Sequence, residues 1–509
     1  MAPPTPPPTL PAGSLAALLR QQAQARPLAT ALRWREPGQA GPDPRWGQLS
    51  FAELARRADA LAQGLARTHG VREGDRVAWL GLNHPVQIAL LFALARLGAL
   101  LVPLNHRLSP AEWAALMQDC RPTLLVHDTA LADAARSLAH PATLHLDGLP
   151  VDPGAGGAGA LDSADHPTLL VYTSGTTGAP KGAVHTQGNL LANMAIAAQV
   201  QGLSEDDTVL TVLPLFHVGG LCIQTLPALS VGAQVLLHSR FDAGTTLRSL
   251  RDDRPTLTLQ VPATLQALTM HADWPGSDLT SLRAIWAGSS LLPAPLIEAC
   301  HARGVPVCNV YGSTETGPFS IALPPAHATS HLGACGWPAP GVQVALRDAA
   351  GEPVGAGQVG ELWLRAPNVV QRYWPDQPAC DAEGFFHSGD LAQQAADGSF
   401  TVVGRAKDML ISGGENIYPA EIENLLVEHP WVVECAVVGQ ADPRWGEAVV
   451  AVVVLRDGAA DDWAAALQGF LDGRLARYKW PRRWHRVAAL PKTALGKVQK
   501  PAVRALLEG

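Results

Sequence analysis

From residue 15 to residue 311 the chain alternates helical spacing with short apolar runs. That alternation is the strongest constraint on the fold: it predicts an α/β core with parallel strand pairing. Residues 15–26 and 51–69 carry helical spacing, and 76–82 and 124–127 read as strands. Residues 86–104 form the most membrane-like run, but Gln87 and Arg96 interrupt it and Gly98 and Pro103 break it. It is read as a buried helix ending near Gly98, followed by a strand over 99–102. A strand over 169–172, a helix over 188–201, and strands over 256–261, 284–287 and 307–311 continue the pattern. After about residue 332 helical patterns vanish. Short alternating runs at 342–347 and 361–365 predict a small antiparallel β unit, closed by GFFHSGD at 384–390. A last α/β segment follows, with strands near 435–439 and 449–455 and a polar loop over 491–500.

Several connections carry chemistry. YTSGTTGAPKG, residues 172–182, packs three glycines, four Ser/Thr hydroxyls and Lys181 behind an apolar strand. Bared N–H groups, hydroxyls and one ammonium suit a phosphate. It is not a Walker loop, because Lys181 follows Pro180 and precedes Gly182. A formal G-x-G-x-x-G at Gly154, Gly156 and Gly159 lacks the flanking strand and helix of a dinucleotide site and reads as a linker. Net charge is −7 with no Lys/Arg block, which argues against nucleic acid. The seven cysteines form no CxxC pair, which argues against a zinc site or a disulfide scaffold. Only six of 38 basic residues are lysine: Lys181, Lys407, Lys479, Lys492, Lys497 and Lys500. A compact ammonium and a planar guanidinium are not interchangeable at a single phosphate oxygen, so these lysines are candidates for ligand contact. The N-terminus, MAPPTPPPTLP, lacks a basic start and apolar core, so it reads as a solvated arm and the protein as cytoplasmic.

YTSGTTGAPKG, LPLFHVGG, YGSTETG, GFFHSGD, GRAKDMLISGGENIYPAEIE and PKTALGK occur in that order over nearly the whole chain. Together they resemble the adenylate-forming superfamily, in its acyl-CoA synthetase or acid:CoA ligase branch. The resemblance implies a large N-terminal domain of α/β sheets, residues 1–406, with a small β-barrel-like subdomain at about 332–400. A small, mobile α+β C-terminal domain, residues 407–509, would follow a hinge at Lys407. It also implies the chemistry: a carboxylate and ATP-Mg2+ give acyl-AMP and pyrophosphate, then coenzyme A gives acyl-CoA and AMP.

Carried over residue by residue, the resemblance assigns the β- and γ-phosphates to Thr173, Ser174, Gly175, Thr176, Thr177 and Gly178, with Lys181 behind them. Ser289, Tyr311 and Gly312 join the ATP site, with Tyr311 on the adenine face. Thr314 contacts phosphate and Glu315 binds magnesium, which needs few protein oxygens. Asp390 accepts the ribose hydroxyls, and Arg405 makes a second ribose or phosphate contact. Lys497 bridges the substrate carboxylate and the α-phosphate, where fixed cations stabilise developing charge. Ser412, Gly413 and Gly414 line the pantetheine tunnel.

By itself His217 is an ordinary structural histidine beside a strand; the resemblance places it beside the acyl carboxyl. Val218, Gly219, Gly220 and Cys222 would line the acyl pocket, with Val261, Ala263, Ala287 and Gly288. They are small and mostly apolar, which favours an aromatic or medium-chain monocarboxylate. No acid occurs over 213–229, so an amino-acid ammonium would be unpaired. Arg283 lies close by and keeps succinylbenzoate- or malonate-like diacids open. The rival reading is a stand-alone adenylation enzyme loading a carrier protein. Expected partners are a small carboxylic acid, ATP and coenzyme A; a homodimer stays open.

Overall fold

The computed structural model describes residues 10, 12–35, 46–150, 163–173, 180–288, 292–412, 415–493 and 496–507. The glycine-rich linker at 153–160 and, apart from Leu10 and the residues after Pro11, the proline arm lie outside the described residues.

Helix boundaries follow local chemistry. The helix Phe51–His69 opens on Ser50, which accepts from Glu53 N–H while the Glu53 carboxylate reaches back, and it ends at Gly70 with φ +65°. The apolar helix Pro85–Leu97 starts on a proline, is capped by the His84 ring and stops at left-handed Gly98. Nearly all of its residues are buried against the helices Leu15–Ala25 and Phe51–His69. A helix apolar all round belongs in a core, which explains its membrane-like composition. No helix among the described residues is long and apolar enough to cross a membrane.

Two mixed sheets organise the described part of residues 12–378. In one, Leu124–His127, Arg76–Leu80, Leu100–Pro103 and Pro167–Thr173 run parallel. In the other, Val307–Tyr311, Ala284–Ala287, Leu257–Gln260, Thr208–Thr211 and Gln234–Leu237 run parallel. The expected parallel core is therefore present.

One strand departs from the sequence pattern. Lys181–Thr186 pairs antiparallel with Pro167–Thr173, putting Lys181 opposite Thr173. The two described ends of the phosphate-loop candidate, Thr173 and Lys181, thus stand on adjacent antiparallel strands. KGAVHT has no period-two pattern; its strand state comes from pairing with Pro167–Thr173 and with Tyr373.

Gln343–Arg347, Val359–Arg365, Phe386–Gln394 and Phe400–Arg405 form a four-stranded antiparallel sheet, as the alternating runs predict. From Leu410 onward the chain builds its own cluster, with Ile417, Ile422, Val449, Ala451 and Leu467 fully buried. The long hairpin of Val432–Asp442 and Gly446–Leu455 forms its centre.

Candidate active site

The parallel strands of the second large sheet end on one edge, and ligands bind at that edge in open α/β sheets. Tyr311 is the last residue of its strand, and its hydroxyl donates to Asp390 Oδ2 at 2.8 Å. Arg405 Nε holds the other oxygen, Oδ1, at 2.8 Å. Asp390 and Arg405 face each other across adjacent strands, so the pair is fixed by register. Burial first, and then Asp390, raise the Tyr311 phenol well above its ordinary pKa, so it remains a donor. The carboxylate is buried and oriented by two fixed donors. It can also accept from vicinal hydroxyls.

Below it, Thr314 and Glu315 lie buried in a single 3-10 turn. Gly312 leads into this turn so close to Pro318 that a Cβ would stand 1.7 Å from its carbonyl oxygen. Glu315 Oε1 accepts from the Tyr373 hydroxyl at 3.0 Å, leaving Oε2 outside that bond. The Lys181 ammonium stands 5.1 Å from the centroid of the same tyrosine ring. Tyr373 thus joins the hairpin lysine to the expected magnesium acid. Sequence reasoning missed Tyr373; it lies in an irregular stretch with no motif around it. A buried carboxylate steadied on one oxygen fits a magnesium ion that takes its other oxygens from phosphate and water.

Lys497 follows Gly496, which has φ +81°. Gly496 N–H donates to the Thr493 carbonyl and Thr493 N–H donates to the Lys497 carbonyl, each at 2.8 Å. Lys492 is paired with Glu434, and Lys500 with Glu423 at 2.9 Å. Lys497 has no ion pair among the described residues, yet its pKa is lowered. Desolvation is the main cause and Arg405 the next, with Asp390 pulling the other way. The residue is exposed, and the charges of Arg405 and Asp390 act on its ammonium in opposite directions. Lys407 is exposed on the 3-10 turn Ala406–Asp408 that leads away from Arg405.

The expected acyl end is built from neutral groups. The segment after Thr208–Thr211 is clamped by Asn83, whose Oδ1 accepts from Leu215 N–H at 2.7 Å and whose Nδ2 donates to Leu213 O at 2.9 Å. Gln87 Nε2 donates to Leu215 O at 3.2 Å. His217 caps the following helix, its Nδ1 accepting from Gly219 N–H at 3.0 Å. Desolvation pushes its pKa down to about 4. At neutral pH the ring is uncharged, and because Nδ1 accepts, the proton is on Nε2. A neutral N–H donor suits a carboxylate or acyl carbonyl without trapping it.

The helix then loosens into a π turn, Leu221–Thr225, a feature frequent at functional sites. Side chains of the helix Gln187–Gln201 satisfy its displaced carbonyls. Asn193 Nδ2 donates to Cys222 O at 2.7 Å and Gln201 Nε2 to Ile223 O at 2.7 Å. Sequence reasoning missed Asn193 and Gln201; buried amides in an otherwise apolar helix were the available signal.

The expected lining residues divide. Val218, Cys222 and Ala287 are almost fully buried, Val261 is half-buried and Ala263 is exposed on the helix Pro262–Thr269. Two pocket glycines have a backbone reason. A Cβ on Gly220 would lie 2.3 Å from Pro214 O, and one on Gly288 would lie 2.7 Å from Val310 O. A Cβ on Gly219 would meet His217 Nδ1 at 3.0 Å. Their smallness therefore serves packing and is no measure of acyl volume. Arg283, the cation that kept diacids open, grips Asp207 with Nη2–Oδ2 at 2.8 Å and also donates to Gly202 O. It is committed to a structural pair.

Thr173 ends its strand half-buried, and Ser412 is buried with an Oγ that finds no partner among the described residues. The other assigned positions (Ser174, Gly175, Thr176, Thr177, Gly178, Ser289, Gly413 and Gly414) lie outside the described residues.

Known proteins match this arrangement along its length. Residues 19–374 match the AMP-binding enzyme family and residues 421–497 match the AMP-binding enzyme C-terminal domain. The chain is 44% identical over 497 residues to indoleacetate–CoA ligase of Aromatoleum aromaticum, covering 93% of this chain and 96% of that one. It is 42% identical over 471 residues to feruloyl-CoA synthase of an Amycolatopsis species, covering 90% and 93%. Among solved structures, o-succinylbenzoate CoA synthetase of Bacillus subtilis with its acyl-adenylate superposes at TM-score 0.85. That pair is 31% identical, with 96% of this chain and 97% of that one covered. The same enzyme has been solved with ATP and magnesium. The chain therefore belongs to the AMP-binding enzyme family and is an ATP-dependent, AMP-forming acid:CoA ligase of the adenylate-forming superfamily.

Proposed function

We propose that the acid is an aromatic monocarboxylate. The observation that carries this reading is the place of Arg283, the one basic side chain that the sequence sets near the pocket: it precedes its strand, at the opposite edge of the sheet from Tyr311, and is held by Asp207, so it offers no partner to a second substrate carboxylate. The relatives named for indoleacetate and ferulate, both aryl acids, point the same way.

In this reading Asp390, held by Tyr311 and Arg405, takes the ribose hydroxyls. The buried Glu315, steadied by Tyr373, takes the magnesium ion, which neutralises phosphate charge when bound. Lys181 braces the hairpin that carries the phosphate loop. Lys497 holds the incoming carboxylate oxygen against the α-phosphorus, countering the charge that gathers there. The carboxylate oxygen forms the new bond to phosphorus and pyrophosphate leaves with the electron pair of the broken bond. His217, neutral and donating from Nε2, orients the acyl carboxyl. The C-terminal segment then turns about Lys407, withdraws Lys497 and brings Ser412 and its glycines to the thiol arm.

The test is a panel of aryl, alkyl and dicarboxylic acids, with pyrophosphate release measured with and without coenzyme A. The expected outcome is turnover with aryl monocarboxylates and formation of their thioesters. Preference for diacids or straight-chain acids would overturn the reading.

A further inference from the structure

Two buried amide oxygens at the expected acyl end, those of Gln224 and Gln260, have no partner among the described residues, and the network around Gln224 fixes which of its atoms is the unpaired one. Gln201 Nε2 donates to Ala197 O at 3.2 Å and to Ile223 O at 2.7 Å, so both of its hydrogens are used. Its Oε1 must then accept, and it does so from Gln224 Nε2 at 3.0 Å. Turning the Gln224 amide over would set two carbonyl oxygens against each other. Gln224 Oε1 is therefore the unpaired end. The side chain is 2% exposed, and this oxygen has no hydrogen-bond partner among the described residues.

Gln224 borders a cavity of about 10 Å3, walled also by Thr211, Leu213, Gly220 and Leu259. That volume matches one water or the donor-bearing edge of a ligand whose body lies outside it. The Thr211 hydroxyl is not a spare donor either. Thr225 Oγ1 donates to Gly220 O at 2.6 Å, so the 2.9 Å contact between the two threonines runs from Thr211 to Thr225. The polar wall of the cavity thus offers acceptors, with no cation and no spare donor in its lining. It lies where Thr208–Thr211 and Leu257–Gln260 leave the sheet, on the turn that His217 caps.

We propose that Gln224 is the specificity residue for the far edge of the acyl group. Its Oε1 accepts a hydrogen bond from a single donor on the aromatic ring, either a phenolic hydroxyl or a ring N–H. This rests on the aromatic-acid reading above. It extends that reading by naming the substituent and the atom that reads it. A site holding a buried, unpaired acceptor rejects analogues that lack the donor far more strongly than an apolar pocket rejects a change of size. It also repels a carboxylate, since acceptor would face acceptor.

The experiment measures kcat/KM for adenylation, by pyrophosphate release, on two matched pairs: p-hydroxycinnamate against cinnamate, and indoleacetate against naphthylacetate. The wild-type enzyme is expected to favour the donor-bearing acid by on the order of tenfold to hundredfold in at least one pair. Which pair responds separates hydroxyl from ring N–H. In Gln224→Met, of similar length and without an acceptor amide, that preference falls at least tenfold while KM for ATP is unchanged. Wild-type ratios near one in both pairs, with all four acids adenylated, would overturn this inference and leave the aromatic-acid reading standing. A preference that survives in Gln224→Met would overturn it too. Failure to adenylate any of the four overturns both. The wild-type ratios need no variant, so they decide the matter even where Gln224→Met folds poorly.

Discussion

The two ends of the proposed active site, one for the nucleotide and one for the acyl group, hold their polar groups in opposite ways. At the nucleotide end, charged groups hold one another: Arg405 and Tyr311 on Asp390, and Tyr373 on Glu315 with Lys181 over its ring. At the acyl end, neutral amides hold backbone carbonyls, and the amide oxygens of Gln224 and Gln260 are left without a partner among the described residues. The first arrangement suits a ligand that never changes. Its charges are placed once and steadied by each other before ATP arrives, so little reorganisation is needed. The second suits discrimination between acids, because an unsatisfied acceptor in an apolar wall is sensitive to a single atom of the ligand.

The largest expected effect breaks the nucleotide end at Lys497, which has no ion pair among the described residues. Lys497→Ala should lower adenylation by on the order of a hundredfold or more, the scale of one oriented charge donor. It should leave the conversion of preformed acyl-AMP and coenzyme A to thioester close to normal. Equal loss in both half-reactions, measured separately, would place Lys497 in the scaffold and not in the adenylation step.

Asp390→Asn is the next largest. It removes the charge opposite Arg405 and an acceptor for Tyr311. Hydrogen bonds to a charged group are worth about 1.5–3 kcal/mol, so kcat/KM for ATP should fall by about tenfold to hundredfold. The ribose is present in ATP and in acyl-AMP alike, so both half-reactions should suffer, unlike Lys497→Ala. A defect confined to adenylation would mean that the aspartate does not hold the ribose.

The same contrast decides what could be read from the sequence. The strands Leu124–His127, Ala284–Ala287 and Val307–Tyr311 and the helices Leu15–Ala25 and Phe51–His69 announce themselves by period, caps and apolar runs. Asp390, Glu315 and Lys497 are legible because they sit in the motifs that carry the family resemblance. The strand Lys181–Thr186 is hidden because its pairing is tertiary. Tyr373 is hidden because it meets Glu315 from 58 residues away. Gly220 and Gly288 suggest room for a ring, whereas their missing side chains admit backbone carbonyls. Gln224 looks like one polar residue in an apolar helix; only the hydrogen-bond chain through Gln201 shows which end of it is unpaired.

Tyr373→Phe sharpens the nucleotide side more gently. It deletes the hydroxyl on Glu315 Oε1 and keeps the ring under Lys181. One hydrogen bond is worth about 0.5–1.5 kcal/mol, so the magnesium concentration for half-maximal adenylation should rise about two- to tenfold. KM for the acid should not move. An unchanged magnesium requirement would show that Glu315 needs no brace.

The smallest effect is on stability, and it comes from the neutral side of the comparison. His84, His217 and His238, around the clamped loop, and His185, buried in the first sheet, all have pKa values lowered to about 4, with desolvation the largest cause. An unfolded histidine takes up its proton near pH 6.5, about the ordinary value. Between about pH 6.5 and 4 the unfolded chain therefore binds more protons than the folded one, and stability falls as pH falls through that window. Below about 4 both states are protonated and these groups add no further slope. Thermal melts across the window should show the decline. His217→Asn keeps a side chain able to cap Val218–Gly220 but removes the titrating ring, so its decline should be shallower than that of the wild type. Parallel curves for the two proteins would mean that the His217 ring is solvated in solution, and its neutral Nε2–H could not then be assumed at the acyl carboxyl.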